Sequence, residues 1–90
     1  MSRRLEHMLN IGPHTAQLLR TIGIPDAEAL ARIGAVEAWR RLRAAFPHRV
    51  TRNALYAIEG ALIDARWNAL PPSRRADIEA AAARIEKEDP

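Results

Sequence analysis

The run Leu9-Asn10-Ile11-Gly12-Pro13-His14-Thr15-Ala16-Gln17-Leu18-Leu19 sets a tight turn directly against the start of a helix. Gly12 is expected to supply backbone freedom, and Asn10 tolerates a left-handed backbone better than most residues. Pro13 suits the first helical position, where its missing N–H removes nothing. Ile11, Ala16 and Leu19 then fall where they bury one side. A weaker copy follows 22 positions later, since Ile33-Gly34 with Ala38 repeats Ile11-Gly12 with Ala16.

Helical spacing extends outward from this turn in both directions. Leu5, Met8 and Leu9 predict a short first helix over residues 3–9, and a second runs over residues 13–22 with Gly23 as its stop. Asp26 is the N-cap of a third over residues 27–32, which buries Leu30 and Ile33. Gly34 separates it from a fourth over residues 35–45, with Val36, Trp39 and Leu42 inward, Phe46 following, and Arg40, Arg41 and Arg43 mostly off the buried stripe. Pro47 ends that pattern. Thr51 then caps the longest helix, residues 52–65, whose inner stripe is Leu55, Ile58 and Leu62.

Gly60 in mid-helix costs about 1 kcal/mol relative to alanine. Its place between Ala57 and Ala61 predicts another helix crossing very close. Residues 66–72 break the pattern and are expected to tuck Trp67 and Leu70 onto the core; Tyr56 is assigned to the core as well. Ser73 caps a last helix to about residue 87 with Ile78, Ala82 and Ile85 inward, and residues 86–90 are expected to fray. No segment alternates with period two, so no strand is predicted. The expected fold is all-α, a compact bundle of about six short helices forming one domain over residues 1–90, with its core in residues 5–85.

Composition agrees with that architecture. Apolar residues make up 48% of the chain, 18 of its 90 positions are alanine, and only four are glycine, which favours helices. The absence of cysteine removes disulfides and thiolate zinc sites. No apolar run approaches the roughly 20 residues that span a bilayer, and the N-terminus lacks a signal-peptide core. The expectation is a soluble cytoplasmic protein.

Net charge is only +3, and thirteen of the fourteen basic residues are arginine. Residues 1–50 carry +4 and residues 51–90 carry −1, so any footprint for an anion lies in the first half.

The Ile-Gly-x-x-x-Ala unit resembles the helix–hairpin–helix element, whose turn amides can hold a phosphate. A broader resemblance emerges from Leu9-x-Ile11-Gly12-Pro13, Ile22-Gly23-Ile24, Leu30-x-x-Ile33-Gly34-Ala35-Val36-Glu37-Ala38-Trp39 and Leu42. It continues through Asn53-Ala54-Leu55-Tyr56-Ala57-Ile58-Glu59-Gly60-Ala61-Leu62 and Trp67-Asn68-x-Leu70-Pro71. Together these resemble the C-terminal domain of the TfoX/Sxy family, bacterial regulators of natural competence for DNA transformation, over about residues 5–80.

The resemblance implies an all-helical fold of helix–hairpin–helix or SAM-like type, and a role linked to competence-gene regulation. Full TfoX-like proteins carry a separate N-terminal domain ahead of this one. Here Met1 falls just before the first helix, so either a free-standing version of the domain or a shortened chain is expected. A separate TfoX N-terminal-type domain or another regulatory protein is the expected partner.

Catalysis has little to stand on. His7, His14 and His48 are scattered, and no nucleophile–base arrangement or Walker-type loop is present. No histidine pair has the i, i+4 spacing of a metal site. The expectation is a non-enzymatic module without metal or cofactor.

Two modes of action stay open. One is protein–protein interaction, with no residues assigned to it; Ile11, Gly12, Ala16, Ile33, Gly34, Ala38, Gly60 and Trp67 are the structural motif in either case. The other is weak DNA binding without sequence preference, through Asn10, Gly12, His14 and Thr15 at the turn and Arg40, Arg43, Arg49 and Arg52 nearby. Helix–hairpin–helix elements that bind DNA typically read Gly-hydrophobic-Gly followed by lysine. Here the turn reads Asn10-Ile11-Gly12 with His14 in place of the lysine, and the second copy carries Glu37.

Overall fold

Leu5, Met8 and Ile11 turn inward from a single 3-10 turn, Leu5–His7, which replaces the first α-helix expected over residues 3–9. The cause is upstream. The carbonyl of Arg3 accepts from the amide of Ala27 at 2.9 Å, and its N–H donates to Glu28 Oε1 at 2.9 Å. Arg3 thus pairs with the start of a later helix instead of beginning its own. The computed structural model describes residues 3–88.

Five α-helices follow: α1 (Pro13–Thr21), α2 (Ala27–Ile33), α3 (Ala35–Ala45), α4 (Arg52–Ile63) and α5 (Pro72–Glu88). No strand occurs among the described residues. Among the described residues the expected bundle of about six helices is therefore five helices and one 3-10 turn.

Local chemistry explains most of the boundaries. Asp26 accepts from the amide of Ala29 at 2.9 Å, the expected N-cap of α2. Gly34 joins α2 to α3 with no intervening residue, at φ 86° and ψ 158°, a backbone region essentially confined to glycine. Thr51 precedes α4 as expected, yet its side chain makes no cap bond. Asp64 adopts a left-handed conformation, φ 57°, and the amide of Ala65 bonds back to Gly60 at 2.8 Å. That closure ends α4 at Ile63, earlier than expected. α5 begins at Pro72, one residue ahead of the predicted cap Ser73, and its 17 residues exceed the 12 of α4.

α3 is the central helix and packs against α1, α2, α4 and α5. Trp39 on α3 is the largest fully buried side chain of a core that also takes in Leu5, Leu19, Ile24, Leu30, Leu42, Leu55 and Ile58. Its indole N–H donates to the carbonyl of Thr51 at 3.0 Å, so the polar end of a core tryptophan is satisfied by the connector before α4. On α5 only Ile78 and Ala82 are buried, with Ile85 partly so. Glu86 is gripped by Arg52 at 2.6 Å, so residues 86–88 stay helical where fraying was expected; residues 89–90 lie outside the described range.

Candidate functional site

The opening turn bends at Asn10, not at Gly12. Asn10 has φ 73°, while Gly12 sits at φ −90°, ψ 178°, a conformation open to any residue. The expectation that Gly12 supplies the backbone freedom is thus corrected. The left-handed residue is the asparagine, which accepts that conformation because its short polar side chain finds local partners.

Those partners form a clasp. Asn10 Nδ2 donates to the carbonyl of Ala65 at 2.8 Å and to that of Ala57 at 3.3 Å, and Oδ1 accepts from the amide of Trp67 at 3.1 Å. A Cβ on Gly60 would collide with the Ala65 carbonyl and with Asn10 Nδ2. Gly60 does mark a close approach, as its sequence position predicts. What approaches is a side chain and the trailing loop of the same helix, not another helix.

Trp67 departs from expectation. Its main chain is pinned by Asn10 and nearby Leu70 is buried, yet the Trp67 side chain is 48% exposed. The clasp fixes the tryptophan backbone and leaves the indole outside. An aromatic held on a rigid main chain can bind without first losing backbone freedom.

The start of α1 is open. Gly12 is exposed, nothing lies within 4 Å of where its Cβ would be, and no side chain caps the first turn. His14 is exposed and Thr15 half-buried. The second copy keeps the same main-chain bond on a different glycine backbone: the amide of Ala16 bonds to the Gly12 carbonyl at 3.0 Å, and that of Ala38 to the Gly34 carbonyl at 3.1 Å. Both alanines are fully buried. The repeat is therefore a packing unit, a glycine start with an alanine seated one turn later.

The arginine region is largely occupied. Arg40 makes two bonds to Glu37, at 2.6 and 2.9 Å, and Arg41 a third at 2.8 Å. The Arg40 bond, seconded by Arg41, holds the Glu37 carboxyl down at about 2. Arg43 lies 5.8 Å from the centre of the Trp39 ring, and Arg52 is paired with Glu86. Arg49 is exposed. The Glu37 pairs were readable from i, i+3 and i, i+4 spacing. Glu86, 34 positions from Arg52, had no local signal.

Residues 1–82 match the TfoX C-terminal domain. The chain belongs to that family. It is 37% identical over 75 residues to Protein Sxy of Escherichia coli (strain K12), an alignment covering 83% of this chain and 35% of that protein. The chain therefore spans about a third of the length of that relative. A crystal structure of an uncharacterized protein from Listeria monocytogenes superposes with a TM-score of 0.79 at 31% identity, over 83% of this chain and 84% of that one.

The TfoX C-terminal resemblance in the residues and the all-helical fold are thus both shown. Within this TfoX C-terminal domain, the long Leu55–Leu62 string supplies the α4 face that receives Asn10 at Gly60. No helix among the described residues is long and apolar enough to cross a membrane.

Proposed function

We propose that the chain is a non-enzymatic, cytoplasmic module of competence-gene regulation that acts by docking a protein partner on the surface around Trp67. One observation carries the reading: Trp67 is nearly half exposed while its backbone is fixed by Asn10. Exposed tryptophans on rigid supports are the residues around which protein interfaces concentrate their binding energy. A TfoX N-terminal-type domain is one partner of this kind, and another regulatory protein is the other.

The alternative, weak duplex binding at the start of α1 and the arginines of α3, has less support. Arg40 and Arg52 are already neutralised by Glu37 and Glu86, and a paired guanidinium has a carboxylate to release before it meets a phosphate.

The experiment restores a deletion strain of the native host with the unaltered chain or with Trp67→Ala and follows competence-gene expression. Loss of regulation in a folded Trp67→Ala variant supports the reading; regulation equal to the unaltered chain overturns it. In parallel, fluorescence anisotropy with a short duplex at about 50 and 200 mM salt tests the alternative. Micromolar affinity that falls with salt and is lost in Arg40→Ala/Arg43→Ala favours DNA.

A further inference from the structure

α5 is attached to the rest of the molecule differently from the other helices. Arg52, Tyr56 and Glu59 lie at i, i+4 and i+7 on one face of α4, and each meets a polar partner on α5. Arg52 pairs with Glu86 at 2.6 Å, the Tyr56 hydroxyl donates to Glu79 at 2.7 Å, and Glu59 accepts from Arg74 at 2.8 Å. The partners run in reverse order, so the helices are antiparallel and joined by three polar rungs. Arg75 reinforces the middle rung, 5.1 Å from the Tyr56 ring centre and 3.3 Å from Glu79.

The apolar part of the contact is small, with Ile78 and Ala82 buried and Ile85 partly so. Toward its end α5 stands off α3, leaving an open groove of about 270 Å³ lined by Arg40, Ala44, Ile85 and Glu88.

The connection to α5 is also separable. The loop is fixed as far as Leu70, by the Asn10 bond to Trp67 and by burial of Leu70 itself. Pro71 and Pro72 come next and carry no N–H. The first main-chain bond beyond them, from the amide of Arg75 to the carbonyl of Pro71 at 3.0 Å, belongs to α5 itself. A helix that swings about these two prolines leaves the Asn10 clasp and the Trp67 surface untouched.

We propose that α5 is a charge-held strap that opens as a unit about Pro71–Pro72 while residues 3–70 stay folded, uncovering the α3–α4 face it crosses. The rungs supply the control. The Arg74–Glu59 rung is the stiffest of the three, since the Glu59 side chain is 8% exposed and gives up its partner on opening. The far rung, Arg52–Glu86, is exposed at both ends, and such a pair is individually weak and screened by salt. A strap closed by such rungs over a narrow apolar stripe opens at lower free energy than the core and responds to ionic strength.

Amide hydrogen exchange on the full chain tests this, with residues 76–88 of α5 read against residues 36–45 of α3 in the same sample. In about 0.05 M salt, the α5 amides exchange at least about tenfold faster than those of α3. Raising salt to about 0.5 M speeds α5 a further threefold or so relative to α3. A Tyr56→Phe/Glu79→Gln variant shifts α5 in the same direction already at low salt. The salt series on the unaltered chain decides the matter if the variant fails to fold. Equal rates in α5 and α3 at both salts overturn the proposal, as does a fast α5 whose rate ignores salt, which would mean the apolar stripe alone holds it.

Discussion

Asn10 reaches the Ala65 carbonyl through space that exists because residue 60 has no side chain. The asparagine and Gly60 are one device, and neither serves without the other. Gly60→Ala forces the side chain or the loop to move and is expected to destabilise by about 2–4 kcal/mol. The measurement is the shift in urea midpoint.

Asn10 itself combines a strained backbone with three side-chain bonds. Asn10→Gly keeps the left-handed backbone and loses the bonds, whereas Asn10→Ala loses both. Ala is expected to be the worse of the two by about 1 kcal/mol. Equal costs would mean that the backbone conformation contributes nothing.

The two glycines of the repeat are expected to behave oppositely. Gly12→Ser is tolerated within about 0.5 kcal/mol, because φ is −90° and the space is open. Gly34→Ala is expected to cost about 1–3 kcal/mol for its positive φ. Thermal unfolding of both variants checks the contrast.

Trp39 and Trp67 are separable by light. Acrylamide is expected to quench one of two emitting populations, and Trp67→Phe to remove the quenchable one. Stability should change by no more than about 0.5 kcal/mol in that variant. Trp39→Phe gives up the indole bond to the Thr51 carbonyl and leaves a gap in the buried core, and is expected to cost about 1–3 kcal/mol.

Acid should weaken the fold in a defined window. Glu6, bonded to Arg20, and Glu37, bonded to Arg40 and Arg41, are both held at about 2 instead of the ordinary 4.5. Depressed carboxylates stabilise the folded chain fully above their unfolded value, and that contribution is lost as pH falls through the folded one. The urea midpoint is therefore expected to fall between about pH 5 and pH 2. In Glu6→Gln/Glu37→Gln the slope should flatten.

The helices were legible wherever the controlling residue was local. Asp26 announced α2 and its own bond, α3 matched residue for residue, and the family string placed Gly60 on α4. What could not be read was decided at long range. The Arg3 main chain bonds to α2, dissolving the first expected helix. Trp67 fits an apolar pattern, but its exposure follows from a bond made by Asn10, 57 positions earlier. Arg52 looked like part of a free cationic surface because Glu86, across the helix pair, has no sequence mark linking it to that arginine.

The clasp also sets an order of events during synthesis. The bend at residue 10 is fixed by carbonyl and amide groups belonging to residues 57–67, so the first turn cannot settle until those have left the ribosome. An emerging N-terminal half holds its helices only provisionally, and the fold closes late, when Trp67 delivers its N–H to an asparagine made 57 residues before it.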